Sequence, residues 1–210
     1  VPIAVENRRP VLDLQHLVGG TVTTLSETLR FGLGAGLYFE YVRRPQQSPS
    51  HFIIGFNRHL DLKLATRIAQ FQNGNAQAAV RDALRENALL FNLDRAPTTA
   101  LLGMEMFAEH LAHFDTIPDW QLCLGDMRAE ITATDSCYRG IYLRFLQEIQ
   151  AHIDTTTLCL EFAEIVNEWD TLAVQFGASM NDASQLERAS RLMRRLAFRE
   201  EHFWGKVLDL

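Results

Sequence analysis

The sequence is short of several things that would settle its role at once. It has three cysteines, Cys123, Cys137 and Cys159, in no spaced framework. A set this sparse and odd excludes a disulfide scaffold and fits a reducing compartment. It has no basic excess: 26 acidic residues outweigh 20 basic ones, for a net charge of −6. That argues against a nucleic-acid surface and leaves no polybasic patch for anionic lipid. No run of about 18 apolar residues occurs, so no membrane span is expected. The opening residues, Val1-Pro-Ile-Ala-Val-Glu-Asn-Arg-Arg-Pro10, lack the apolar core of a signal peptide. The expectation is a cytoplasmic protein that binds neither nucleic acid nor membrane. Repeats and low-complexity tracts are missing as well. What remains is a chain of 210 residues, 47% apolar, ordinary for a globular protein and long enough to bury a core in one large domain or two small ones.

The most informative segment is Leu25-Ser-Glu-Thr-Leu-Arg-Phe-Gly-Leu-Gly-Ala-Gly-Leu-Tyr-Phe-Glu-Tyr41. Gly32, Gly34 and Gly36 alternate with Leu33, Ala35 and Leu37. Glycine at every second place strips one face of a strand of side chains, so that a strand, a helix or a ligand can lie against bare backbone. The spacing does not make a nucleotide loop, because no helix and no ribose-binding acid follow at the required distance. Ser26 has the chemistry to cap a short helix, with Glu27 in its first turn.

Residues 11–18 read as a short helix ended by Gly19-Gly20. Residues 31–42 and 51–56 read as strands joined by the turn-rich Arg44-Pro-Gln-Gln-Ser-Pro-Ser50. Helices are expected over 60–71 and 76–86 with a turn at Gly74, and a buried strand over Leu89-Leu-Phe-Asn-Leu93. Beyond about residue 100 the pattern changes to helical stripes, over 104–114, 138–153, 158–176 and 183–208. The clearest is Leu158, Phe162, Ile165, Val166, Trp169, Leu172, Ala173 and Phe176, with Gly177 as its expected stop. The predicted fold class is therefore α+β: an N-terminal part with a small sheet over residues 1–97, and an all-helical domain over residues 98–210.

Candidate chemistry is thin. His110, His113, Glu109, Glu161, Glu164, Glu168 and His202 contain no Glu-x-x-His pair for a carboxylate-bridged metal. The glutamates at 161, 164 and 168 continue to Thr171 and Gln175 opposite the apolar stripe, which reads as a solvated face. No metal and no cofactor is expected. Among the cysteines, Cys123 and Cys159 sit between leucines and read as core. Cys137, after Asp135-Ser136, reads as the most exposed, at a helix start whose dipole would lower its pKa.

The pieces Leu25-Ser-Glu and Phe31-Gly-Leu-Gly-Ala-Gly-Leu-Tyr-Phe39 resemble the signature of the butirosin biosynthesis protein H family. The likeness continues through Ser48-Pro-Ser-His-Phe-Ile-Ile-Gly55, Ala83-Leu-Arg-Glu-Asn-Ala-Leu-Leu-Phe-Asn-Leu-Asp94 and Tyr138-Arg-Gly-Ile-Tyr-Leu-Arg-Phe-Leu-Gln-Glu148. The resemblance implies a reduced papain-like or C39-like N-terminal part followed by a helical domain. It implies an acyltransferase of secondary metabolism, an antibiotic-biosynthesis type of enzyme. Such an enzyme moves an acyl group from an acyl carrier protein thioester to a small amine acceptor. A shortened sheet would leave strand edges to be covered by the C-terminal helices or by a second subunit, so a homodimer is a further expectation. On this likeness Ser26, Glu27, Gly32, Gly34 and Gly36 are candidate substrate-binding residues, and Asp94, His51 and Cys137 are weak catalytic candidates. The family's His-Cys pair before Ser-Glu and its histidine-bearing strand after the aspartate have no counterpart here. Either the machinery has been lost, or the natural protein has further segments near Arg8–Gly20 and Asp94–Ala100. The competing functions are a binding or scaffold relative without turnover and a plain helical interaction domain.

Overall fold

The computed structural model describes residues 26–34, 37–42, 51–56, 61–92 and 100–210. Almost all of them are helical. In chain order the elements are α1 (Glu27–Gly34), β1 (Leu37–Val42), β2 (His51–Phe56), α2 (Asp61–Gln72), α3 (Ala76–Asn92), α4 (Ala100–Leu111), α5 (Trp120–Ala133), α6 (Arg139–Glu148), α7 (Thr156–Asn181) and α8 (Leu186–Leu208).

The last two helices form the spine. On α7 the residues Leu158, Phe162, Ile165, Trp169, Leu172 and Phe176 are buried at helical spacing. On α8 the buried set includes Leu192, Met193, Leu196, Phe203, Trp204 and Val207. The link between them is a short 3-10 turn. Asp182 opens it by accepting the Ser184 N–H at 3.0 Å and the Gln185 side-chain amide at 3.4 Å. Those bonds hold the Asp182 carboxyl below its usual pKa range. So short a connection returns α8 antiparallel to α7. The earlier helices pack on this hairpin: α5 and α6 on α7, α3 and α4 on α8. Where α4 meets α8 the contact residue is small, and Ser190 Oγ donates to the Ala108 carbonyl at 2.7 Å. One hydrophobic core runs from Leu29 and Leu33 through Phe91 to Trp204, so the described residues on either side of 93–99 share it.

The expected α+β fold is overturned. The described residues make a helical fold, with no papain-like or C39-like sheet. Among them only β1 and β2 pair, as a two-stranded antiparallel ribbon with Leu37 opposite Phe56 and Val42 opposite His51. Residues 31–34, expected to begin a strand, finish α1 instead. Gly32 is needed there for close approach to a helix, because a Cβ at that position would overlap the Phe145 ring on α6. Leu89–Asn92, expected as a buried strand, is the last turn of α3. Ala83, Leu84, Asn87, Ala88 and Phe91 keep one buried helical face to its end, and a short apolar run does not by itself tell strand from helix.

Other boundaries shift for local reasons. Gly177 does not stop α7, which runs on to Asn181. The Arg128 guanidinium from α5 passes about where a side chain would stand, with Nη1 3.2 Å from a Cβ placed at Gly177. α5 has no counterpart among the expected elements. Gly74 does turn the chain, with φ of 82°. The helix expected over 11–18 lies outside the described residues.

Candidate functional site

The most unusual backbone lies between α5 and α6. Asp135, Ser136, Cys137 and Tyr138 have φ of 53°, 55°, 59° and 64°, four successive non-glycine residues in the left-handed region. Each costs roughly 1–2 kcal/mol against the right-handed form, so the surroundings must impose the turn. They do so with hydrogen bonds at both ends. The Ser136 N–H reaches the Ile131 carbonyl at 3.0 Å, the Tyr138 N–H that of Thr134 at 2.6 Å, and the Gly140 N–H that of Asp135 at 3.1 Å. Ser136 Oγ donates to Asp170 on α7 at 2.6 Å. Arg144 Nη2 pairs with the Asp135 carboxylate at 2.8 Å. That carboxylate lies against Gly140 so closely that a Cβ there would overlap it.

The turn delivers Arg139 into the core. Arg139 and Glu200 are both fully buried and meet in a two-pronged pair, Nε to Oε1 at 3.0 Å and Nη2 to Oε2 at 2.9 Å. Trp169 Nε1 adds a third donor to Oε1 at 2.8 Å. Arg139 Nη1 donates to the Cys137 carbonyl at 2.9 Å. The guanidinium lies 5.0 Å from the Trp169 ring centroid and 5.4 Å from that of Phe91, within cation–π range. Such a pair is tolerable in a dry interior only because its hydrogen-bonding capacity is so widely met. Its groups are turned on one another and fully buried, which is the arrangement of a structural strut. Beside it, burial raises the pKa of Tyr142, a shift that the Asn87 side chain partly offsets.

Cys137 is carried into the same core. It is fully buried, and burial first, then nearby carboxylates, push its thiol well above the ordinary value, with Arg139 opposing. The expectation of an exposed, dipole-activated cysteine is corrected: the left-handed run turns the side chain inward before α6 begins at Arg139. Cys123 and Cys159 are buried as well. The Cys123 thiol is pushed up to about 11, by burial and then by Asp126 and Asp119. Cys159 receives a hydrogen bond from Gln150 Nε2 at 3.4 Å.

The other candidates fall in different places. Ser26 is exposed and caps α1, its Oγ accepting the Leu29 N–H at 3.0 Å. The same hydroxyl donates to the Glu148 carboxylate at the end of α6, 2.6 Å from Oε1 and 2.7 Å from Oε2. Glu27 stands in the first turn of α1, Gly32 faces Phe145, and Gly34 closes the helix. Arg67 Nη1 caps the far end by donating to the Leu33 carbonyl at 2.7 Å, while its other arm pairs with Glu86. His51 begins β2. Gly36, Asp94 and the segment Arg8–Gly20 lie outside the described residues. The structure therefore brings Ser26 and Gly32 onto α6, whose first turn holds Arg139, and keeps Cys137 sealed from both. Among the described residues no group of three or more His, Cys, Asp or Glu side chains is placed to hold a metal, and no helix is long and apolar enough to cross a membrane.

Sequence reasoning missed the pair of Arg139 and Glu200. A signal existed: Glu200 falls in phase with Leu196, Ala197, Phe203 and Trp204, the apolar face of α8, where a lone carboxylate demands a buried partner.

No curated protein and no solved structure matches the chain. Residues 58–207, from just before α2 to the last turn of α8, match the model of a family described as Domain of unknown function (DUF4872). The match spans the turn, the buried pair and the helical spine, and the chain belongs to the DUF4872 family.

Proposed function

We propose that the chain serves small-molecule biosynthesis in the cytoplasm, as a relative of the butirosin biosynthesis protein H type. It would recognise an acyl carrier protein thioester and a small amine acceptor, in the role of a binding or scaffold protein. The observation that carries the choice of role is the burial of all three of its cysteines. In cysteine-dependent acyl transfer a thiolate attacks the thioester carbonyl and the carrier thiol leaves. The amine then displaces the enzyme thiol and gives up its proton to a base. A thiol sealed in a core fails at the first step, and at Cys123 and Cys137 burial also raises the pKa. Acyl transfer would then need a cysteine other than these three. The substrate class rests on the likeness of Leu25-Ser-Glu and the Gly32-x-Gly-x-Gly36 segment to that family.

Incubation with an acyl-loaded carrier protein, followed by intact mass measurement and by binding calorimetry, tests both halves. The expected result is carrier binding with no covalent adduct. An acyl adduct mapped to Cys123, Cys137 or Cys159 would overturn the scaffold role. Absence of binding to both loaded and unloaded carrier would overturn the substrate class.

A further inference from the structure

The outward face of the α7–α8 hairpin has the pattern of a self-complementary surface. Three large apolar side chains stand out on it: Leu160 at 69% exposure, Val174 at 71% and Phe198 at 68%. Leu160 and Val174 lie seven residues before and seven after Asn167, also exposed. Two heptad steps keep all three on one stripe of α7. The level of Phe198 follows from the ion pairs across the seam. Lys206 Nζ meets Glu161 at 2.5 Å, Arg199 pairs with Glu164, and Arg195 Nε meets Glu168 at 2.9 Å. Phe198, beside Arg199, therefore stands next to the stretch 164–168, at the height of Asn167.

We infer that this face binds a second copy of the chain, across a two-fold axis that passes at the level of Asn167 and Phe198. A two-fold interface needs one patch that matches itself when reversed. Reversal about Asn167 lays Leu160 on Val174 of the other copy and brings the two Phe198 rings together. The charges agree. Arg194 and Glu201 flank Phe198 on the exposed side of α8, and neither has an ion-pair partner among the described residues. Antiparallel stacking of α8 on its copy brings each Arg194 to the opposite Glu201. The ladder along the seam is already neutralised, so a chain with net charge −6 meets its copy on a face without like-charge excess.

The face is modest. A length of about 21 Å from Leu160 to Val174 at 1.5 Å per residue, across two helices each about 9 Å wide, gives roughly 400 Å² per subunit. That is about 800 Å² in total, the size of a weak or transient contact. A weak dimer that grows with concentration is the expected form.

Sedimentation velocity over a concentration series tests this on the whole chain. The expected result is a monomer–dimer equilibrium. Phe198→Glu and Val174→Glu, both on exposed side chains, should each weaken it at least tenfold without loss of helical signal. Arg194→Glu should weaken it, and the pair Arg194→Glu with Glu201→Arg should restore it. A monomer at every concentration overturns the inference, and so does a dimer indifferent to Phe198→Glu and Val174→Glu.

Discussion

Two sets of charges tie other helices to α8 and do different work, the buried one from α6 and the partly exposed one from α7. In the core, Arg139 reaches Glu200 with both side chains fully buried, two hydrogen bonds between them and Trp169 as a third partner. On the seam, Glu161, Glu164 and Glu168 of α7 meet Lys206, Arg199 and Arg195 of α8 in partly exposed pairs. The buried pair has lost its water and depends wholly on its partners. The seam pairs keep theirs, and their net contribution is small. The glutamates expected to form a solvated face are therefore a register ladder, with Glu168 itself largely buried between Arg195 and Arg199.

The largest effect should come from breaking the buried pair. Glu200→Ala leaves Arg139 charged and unpaired in the core, with an expected loss of about 3–5 kcal/mol in urea unfolding. The double change Arg139→Met with Glu200→Leu should recover most of it, because no orphaned charge remains. A double variant as unstable as Glu200→Ala would show that shape, not charge, governs the site. A smaller effect should follow from crowding the turn that positions Arg139. Gly140→Ala forces a methyl group into the Asp135 carboxylate, and a loss of about 1–3 kcal/mol is expected. Alanine's helix preference offsets about 1 kcal/mol at most. The midpoint of denaturant unfolding reads the difference, and an unchanged or raised midpoint would mean that the turn yields. The smallest effect belongs to the seam. Arg199→Ala should cost about 0.2–1 kcal/mol at low salt, and molar salt should reduce the difference. A loss as large as that of Glu200→Ala would erase the contrast.

Much of the helical half was legible. The stripe from Leu158 to Phe176 and, in the N-terminal part, the cap at Ser26 are local patterns, set by helical periodicity and by the chemistry of one hydroxyl. Cys123 and Cys159 were readable as core from their leucine neighbours. The first half misled because its evidence was ambiguous in kind. Alternating glycines suit a strand on paper, but Gly32 serves a helix pressed on Phe145, a residue more than a hundred positions away. Leu89-Leu-Phe suits a buried strand equally, until Ala83, Leu84 and Asn87 are seen on the same buried face.

By itself, then, the sequence determined where apolar faces recur and which residues are able to cap a helix, since both depend on neighbours within a turn or two. Tertiary structure decided the rest. Four left-handed residues at 135–138 persist because Asp170, Arg144 and the bare backbone at Gly140 hold them. Cys137 is sealed because that turn faces the core. Glu200 finds Arg139 across 61 positions. The sign of φ and the choice of a charge partner are settled by contacts between distant segments, and such contacts leave no period in the chain to be read.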